Sequence, residues 1–180
     1  MGETFWDGER PLAERQTIED YQAGTEPVIA DLLGGLEGIG LGDTVLQGES
    51  SLIGCGTGDR TGFEVAGSGV KGAPVDPDQA AAAGDRVLGP RGLSHQSDLR
   101  DEDGMVTLTW SDIDDGGYVT VVVVPGSHTS VGYRSGCRPT DGSTTGPGRE
   151  RPAWEQAIAP MEGDSPSPSE TPGPAAGTGS

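Results

Sequence analysis

Cys55 in Gly-Cys-Gly and Cys137 in Ser-Gly-Cys-Arg-Pro are the only two thiols in the sequence, and each stands at the edge of a predicted strand. An even pair in a glycine-rich domain reads as a single staple, typical of an oxidising compartment. Bridged, it would close a loop of about 80 residues and contribute on the order of 4 kcal/mol on the chain-entropy account. The alternative is two unrelated free thiols in a cytosolic protein. Two cysteines alone cannot complete a structural zinc site, and His95 and His128 stand at no ligand spacing from either.

Other residues match chemical motifs more loosely. Gly67-Ser68-Gly69-Val70-Lys71-Gly72 spells G-x-G-x-x-G after a possible strand, but a dinucleotide site needs its third glycine inside a helix, and Ala73-Pro74-Val75-Asp76-Pro77 keeps the chain extended. A loop is the expectation. Leu52-Ile53-Gly54-Cys55 has the form of a bacterial lipobox, yet Glu37, Asp43 and Glu49 interrupt the apolar run that should precede one. The acids Asp98, Asp101, Glu102 and Asp103, and Asp112, Asp114 and Asp115, could offer oxygen ligands to calcium, but neither set follows the EF-hand order, and solvated turns are expected. Catalytic carboxylates need an apolar pocket that shifts one pKa, whereas hairpin tips are wet. Ser127 and His128 are adjacent in sequence, and strand alternation would point them apart. No catalytic, cofactor-binding or metal-binding residue is therefore assigned. Trp110, Tyr118 and Tyr133, on successive predicted strands, are the candidate ligand surface, although aromatic residues at strand positions also serve as core or cross-strand pairs.

Composition bounds what can position these groups. The 180 residues carry a formal charge of -18, with 32 glycines and 14 prolines. Acidity on that scale opposes nucleic acid, whose recognition needs clustered cations, and no stretch approaches the roughly 18 to 20 apolar residues of a membrane span. Ile158 is the last Leu, Ile, Val or Phe in the chain, and none lies between it and residue 139. A single domain over residues 1–139 is expected, followed by a disordered Pro/Gly/Ser/Thr-rich tail over 140–180. Within that tail Trp154 to Ile158 could form one helical turn, unstable if isolated.

Apolar spacing from Glu9 to Leu36 predicts a helix interrupted at Pro27, and Asp76-Pro77-Asp78 predicts a second helix through Leu88. Strands are expected around Thr44 to Leu46 with Leu52 to Cys55, at Gly62 to Val70, Met105 to Trp110, Tyr118 to Val124, and His128 to Ser135. Together they predict an α+β two-layer sandwich, its mostly antiparallel sheet of about 4–5 strands covered by two or three helices.

The N-terminal helix, the strand bearing Cys55, the Gln79 to Leu88 helix, the hairpin with Gly117-Tyr118 and the last strand from Val131 to Cys137 together resemble the small lipoproteins of the actinobacterial cell envelope, including the LppA-like type. The likeness spans roughly residues 12 to 139. The single lysine and absence of asparagine also fit a GC-rich genome. The resemblance implies a comparable α+β domain and supplies no catalytic residues. The expected function is a non-catalytic, envelope-associated binding or interaction domain, monomeric, for an unknown protein or small envelope ligand. The alternatives are an enzyme of unrecognised type and a cytosolic regulatory module. The expected location is the cell envelope or exterior if a leader precedes Met1, and the cytoplasm otherwise.

Overall fold

The computed structural model describes residues 8–56, 61–142 and 147–162. A 3-10 turn at Leu12–Glu14 leads to α1 (Ile18–Asp20), a π-helical turn (Tyr21–Thr25) and α2 (Val28–Glu37). The strands are β1 (Val45–Leu46), β2 (Ser51–Cys55), β3 (Gly62–Ala66), β4 (Val70–Gly72), β5 (Ser94–Arg100), β6 (Val106–Ser111), β7 (Tyr118–Val124), β8 (His128–Arg134) and β9 (Ala159–Pro160). Helices α3 (Pro77–Leu88) and α4 (Ala153–Ala157) complete the described elements. The α+β expectation is met by a larger sheet: nine strands among the described residues, in the order β5-β6-β7-β8-β4-β1-β9, with the β2–β3 hairpin branching from β8. All pairs are antiparallel except β1 with β9.

Three differences from the expectation account for the extra strands. Gly67-Ser68-Gly69 divides the single predicted strand into β3 and β4; Gly67 donates to Tyr133 O at 2.9 Å and lies so close to that residue's ring that a Cβ would stand 2.4 Å from it. Strand β5 is polar and almost wholly exposed, so it lacks the alternation that marks a half-buried strand; only its pairing with β6 defines it. Strand β9 lies in the expected tail. There residues 147–162 fold back onto the domain, with Glu155 of α4 fully buried, so the tail expectation is corrected over that span. Composition cannot anticipate this, because the segment is held by charge and by β1. Residues 163–180 lie outside the described residues.

Helix starts follow their signals. The Asp76 side chain accepts from Gln79 N at 2.9 Å, and Pro77 begins α3. Thr17 caps α1 in the same way, and Pro27 separates the π turn from α2. The expected helix does not begin at Glu9; Arg15 to Thr17 are extended there.

Burial alternates strictly along β7 and β8. Val119, Val121, Val123, Val131 and Tyr133 share the core with Val28, Ile29, Leu32, Leu33 and Leu36 of α2 and with Ala80, Ala83 and Leu88 of α3. The opposite face carries Tyr118, Thr120, Val122 and Val124, all half-buried, and Leu99, which is 64% exposed. The sheet is thus covered on one side and open on the other.

Candidate functional site

Strand alternation decides the fate of the three aromatic residues. Trp110 pairs with Val119, and Val119 with Tyr133, so both aromatic rings face the core and are buried. Tyr118 is one residue out of phase and stands on the open face, between Ser111 and Arg134. Of the three residues expected to share one surface, only Tyr118 stands on the open face, while Trp110 and Tyr133 are buried in the core.

Around Tyr118 the open face forms a groove of about 650 Å³, lined by Thr109, Thr120, Glu64, Arg134 and the cystine among others. Its room comes from glycine. Gly56, Gly117 and Gly136 line it, and Gly117 (φ +93°) approaches Ser135 so closely that a Cβ would lie 2.5 Å from its carbonyl carbon. One wall is the disulfide between Cys55 and Cys137, with Cα atoms 5.9 Å apart, which ties the β2–β3 hairpin to the segment after β8. Because the Cys55 sulfur is bonded to Cys137, it cannot also carry a lipid thioether, so the lipobox match is a β-strand here. Arg134 Nη1 meets Glu64 Oε1 at 3.4 Å across the groove, a single contact with the arginine half-exposed.

Behind this wall the acidic hairpin loop is not the solvated turn expected of it. Arg138 is fully buried and donates to the carbonyls of Ser135 (2.8 Å) and Gly116 (3.1 Å) and to Gln16 (3.1 Å). It lies near Asp112 and Asp115, with its guanidinium carbon 4.7 Å from the Tyr21 ring centroid. Arg10 also pairs with Asp115. Burial pushes the Asp112 carboxyl above its ordinary value despite the pull of Arg138, and lowers the Arg138 guanidinium against its acidic neighbours. The other acidic cluster is a local turn, in which the Asp101 carboxylate accepts from Asp103 N and Met105 N. Among the described residues, no group of three or more His, Cys, Asp or Glu is arranged to hold a metal ion.

Two histidine arrangements were not anticipated. The turn between β7 and β8, rather than strand alternation, brings Ser127 Oγ to 2.9 Å from His128 Nδ1, so the expectation that they point apart is corrected; the pair is exposed. His95 holds Asp85 at 2.9 Å and Asp98 at 2.5 Å through its two ring nitrogens, while its ring rests 4.8 Å from that of Trp110. With both nitrogens engaged, it is a clasp between β5 and α3. The spacing of His95 and Asp98 was visible in sequence; Asp85 required the fold.

A family model for a domain of unknown function (DUF4853) matches residues 14–146. The chain belongs to this family. A crystal structure of a DUF4853 family protein from Actinomyces odontolyticus ATCC 17982 is similar in fold, with a TM-score of 0.67 and 25% identity over 82% of this chain and 84% of that one. No curated protein matches the sequence. The DUF4853 span contains the whole groove and both halves of the disulfide, and ends before α4 and β9.

Proposed function

We propose that this DUF4853 chain is a non-catalytic, lipoprotein-like binding domain of the cell envelope, which holds a protein or small envelope ligand in the open-face groove. The observation that carries the reading is the groove itself: about 650 Å³, walled by a cystine and floored by glycine backbone, with Tyr118, Thr109 and Thr120 beside one loosely paired Arg–Glu couple. Such a mixture suits a hydroxylated or zwitterionic ligand, because ring face and hydroxyls address neutral groups while Arg134 and Glu64 can each be re-paired. Their single long contact contributes little to stability, so exchanging it for ligand contacts costs little. The disulfide suits an oxidising compartment, and the charge of -18 sets the chain against polyanions.

The test is co-sedimentation of the full chain with insoluble cell-wall material from an actinobacterium. Saturable pelleting that is lost in Tyr118→Ala with Arg134→Ala supports the reading. Equal behaviour of wild type and variant opposes it, and release of soluble fragments would favour an enzyme instead.

A further inference from the structure

A second buried charge cluster lies where residues 147–162 cross the domain. Arg149 is the centre. Its two terminal nitrogens reach both oxygens of Glu26, at 2.8 and 2.5 Å, and one also reaches Gln22 Oε1 at 2.9 Å. Its Nε and Nη2 reach Ser50 Oγ at 3.1 and 2.7 Å. The hydroxyl of Tyr133, which burial beside Glu26 holds protonated by pushing its pKa up, donates to Glu26 Oε1 at 2.5 Å. Glu26 is 2% exposed and is presented at the end of the π-helical turn, a local widening often found where a helix serves a site. The planar fork of a guanidinium fits this cradle; an ammonium would leave several acceptors unanswered.

Ownership of the parts is divided. Gln22, Glu26, Ser50 and Tyr133 lie within the DUF4853 span, whereas Arg149 lies beyond it. The apolar hold of the strap that supplies Arg149 is confined to Ile158 and Trp154, which pack at the margin of the core, the Trp154 ring centroid 6.1 Å from that of Tyr133. Glu155 is its one buried residue, bonded to Ser50, while Trp154 and Ile158 are half-buried. Beyond these it has the exposed Arg151–Glu49 pair at 2.8 Å, the two-residue pairing of β9 with β1, and Met161 N to Leu46 O. A cleft of about 720 Å³ runs between the strap and the π turn. A segment attached by polar anchors, two half-buried apolar side chains and a short strand edge can open locally without unfolding the core.

We propose that Gln22, Glu26, Ser50 and Tyr133 form a recognition site for an arginine side chain on an extended peptide, occupied in cis by Arg149 and opened to an arginine-bearing peptide partner when the strap lifts. Filled in cis, the site is closed; the strap is its own competitor.

The experiment uses full-length Arg149→Ala and a fluorescent peptide of residues 147–162. Saturable binding of the peptide to the variant is expected, about tenfold or more weaker when its arginine at 149 is changed to lysine, and weaker to the wild-type chain, whose site is filled. No binding, or equal binding of the arginine and lysine peptides, would overturn the proposal. If the variant does not fold, hydrogen exchange on the unaltered chain decides. The amide of Met161 should exchange about tenfold or more faster than that of Val121 in β7 if the strap opens alone, and equal rates would show that it is a fixed part of the core.

Discussion

Helix α3 reaches strand β6 because Gly84 faces Trp110: a Cβ built on Gly84 would stand 2.2 Å from Cζ2 of the indole. The indole N–H is held in turn by Asp85, the next residue, at 2.8 Å. Two opposed effects meet at this position. Replacing a mid-helix glycine by alanine normally gains about 0.5–1 kcal/mol, but overpacking a rigid core costs about 1–3 kcal/mol or more. The clash is with ring atoms rather than a flexible chain end, so overpacking wins. Gly84→Ala is predicted to lower the urea midpoint at unchanged slope; a higher midpoint would contradict this packing.

Reduction should be costly as well. The cystine joins residues 82 apart in sequence, and the chain-entropy model assigns such a loop about 4 kcal/mol. Replacing both cysteines by serine, or unfolding under a dithiol reductant, is expected to remove a stabilisation of that order. Equal urea midpoints with and without the bridge would show that the β2–β3 hairpin is held by other means.

Asp112 gives stability a pH dependence of a definite sign. Its carboxyl is pushed up from the ordinary 3.8 by burial, with Asp115 N and Arg138 acting against the shift. The folded chain therefore holds this proton more tightly than the unfolded chain does. The resulting stability is complete below about pH 4 and is lost as pH rises through the folded value. Asp112→Asn removes that loss while keeping an oxygen for Asp115 N, which Asp112 Oδ1 accepts at 2.9 Å. The advantage of the variant over wild type should grow as pH is raised above about 4. A difference that does not change with pH would place the titration elsewhere.

Arg138 is predicted to tolerate no substitution cheaply. Removing it leaves Asp112 and Asp115 without their buried partner, and breaking such a pair costs about 3–5 kcal/mol. Lysine does not replace it, because the bonds to Ser135 O, Gly116 O and Gln16 use three separate nitrogens of a planar fork. Arg138→Lys should unfold at markedly lower denaturant concentration. A variant as stable as wild type would mean the network contributes nothing net.

How much of this was legible depended on whether the signal was local. The cap of α3 was readable because Asp76 and Gln79 are neighbours on one turn. The strands β6 to β8 were readable from β-branched and aromatic runs. The orientation of Tyr118 was not, since residues 121–124 are apolar at both parities and only pairing with β6 and β8 shows which parity is buried. The polar strand β5 and the strap escaped for a related reason. Arg149 and Ser50 are 99 residues apart, and a composition rich in glycine and proline gives no sign of such a contact. Within the candidate site, the cystine pairing was anticipated from strand edges, whereas Glu64 and Arg134 needed the pairing of β3 with β8.

The groove beside Tyr118 is the centre of this account, and amide chemical-shift mapping tests it most directly. The full chain is titrated with soluble peptidoglycan fragments, the probe chosen for its hydroxyls and zwitterionic peptides. Saturable shifts are predicted at Thr109, Tyr118, Thr120, Arg134 and Gly136, and they should vanish in Tyr118→Ala with Arg134→Ala while the spectrum stays folded. Absent shifts, or shifts spread elsewhere and indifferent to those two substitutions, would contradict the groove as the binding site.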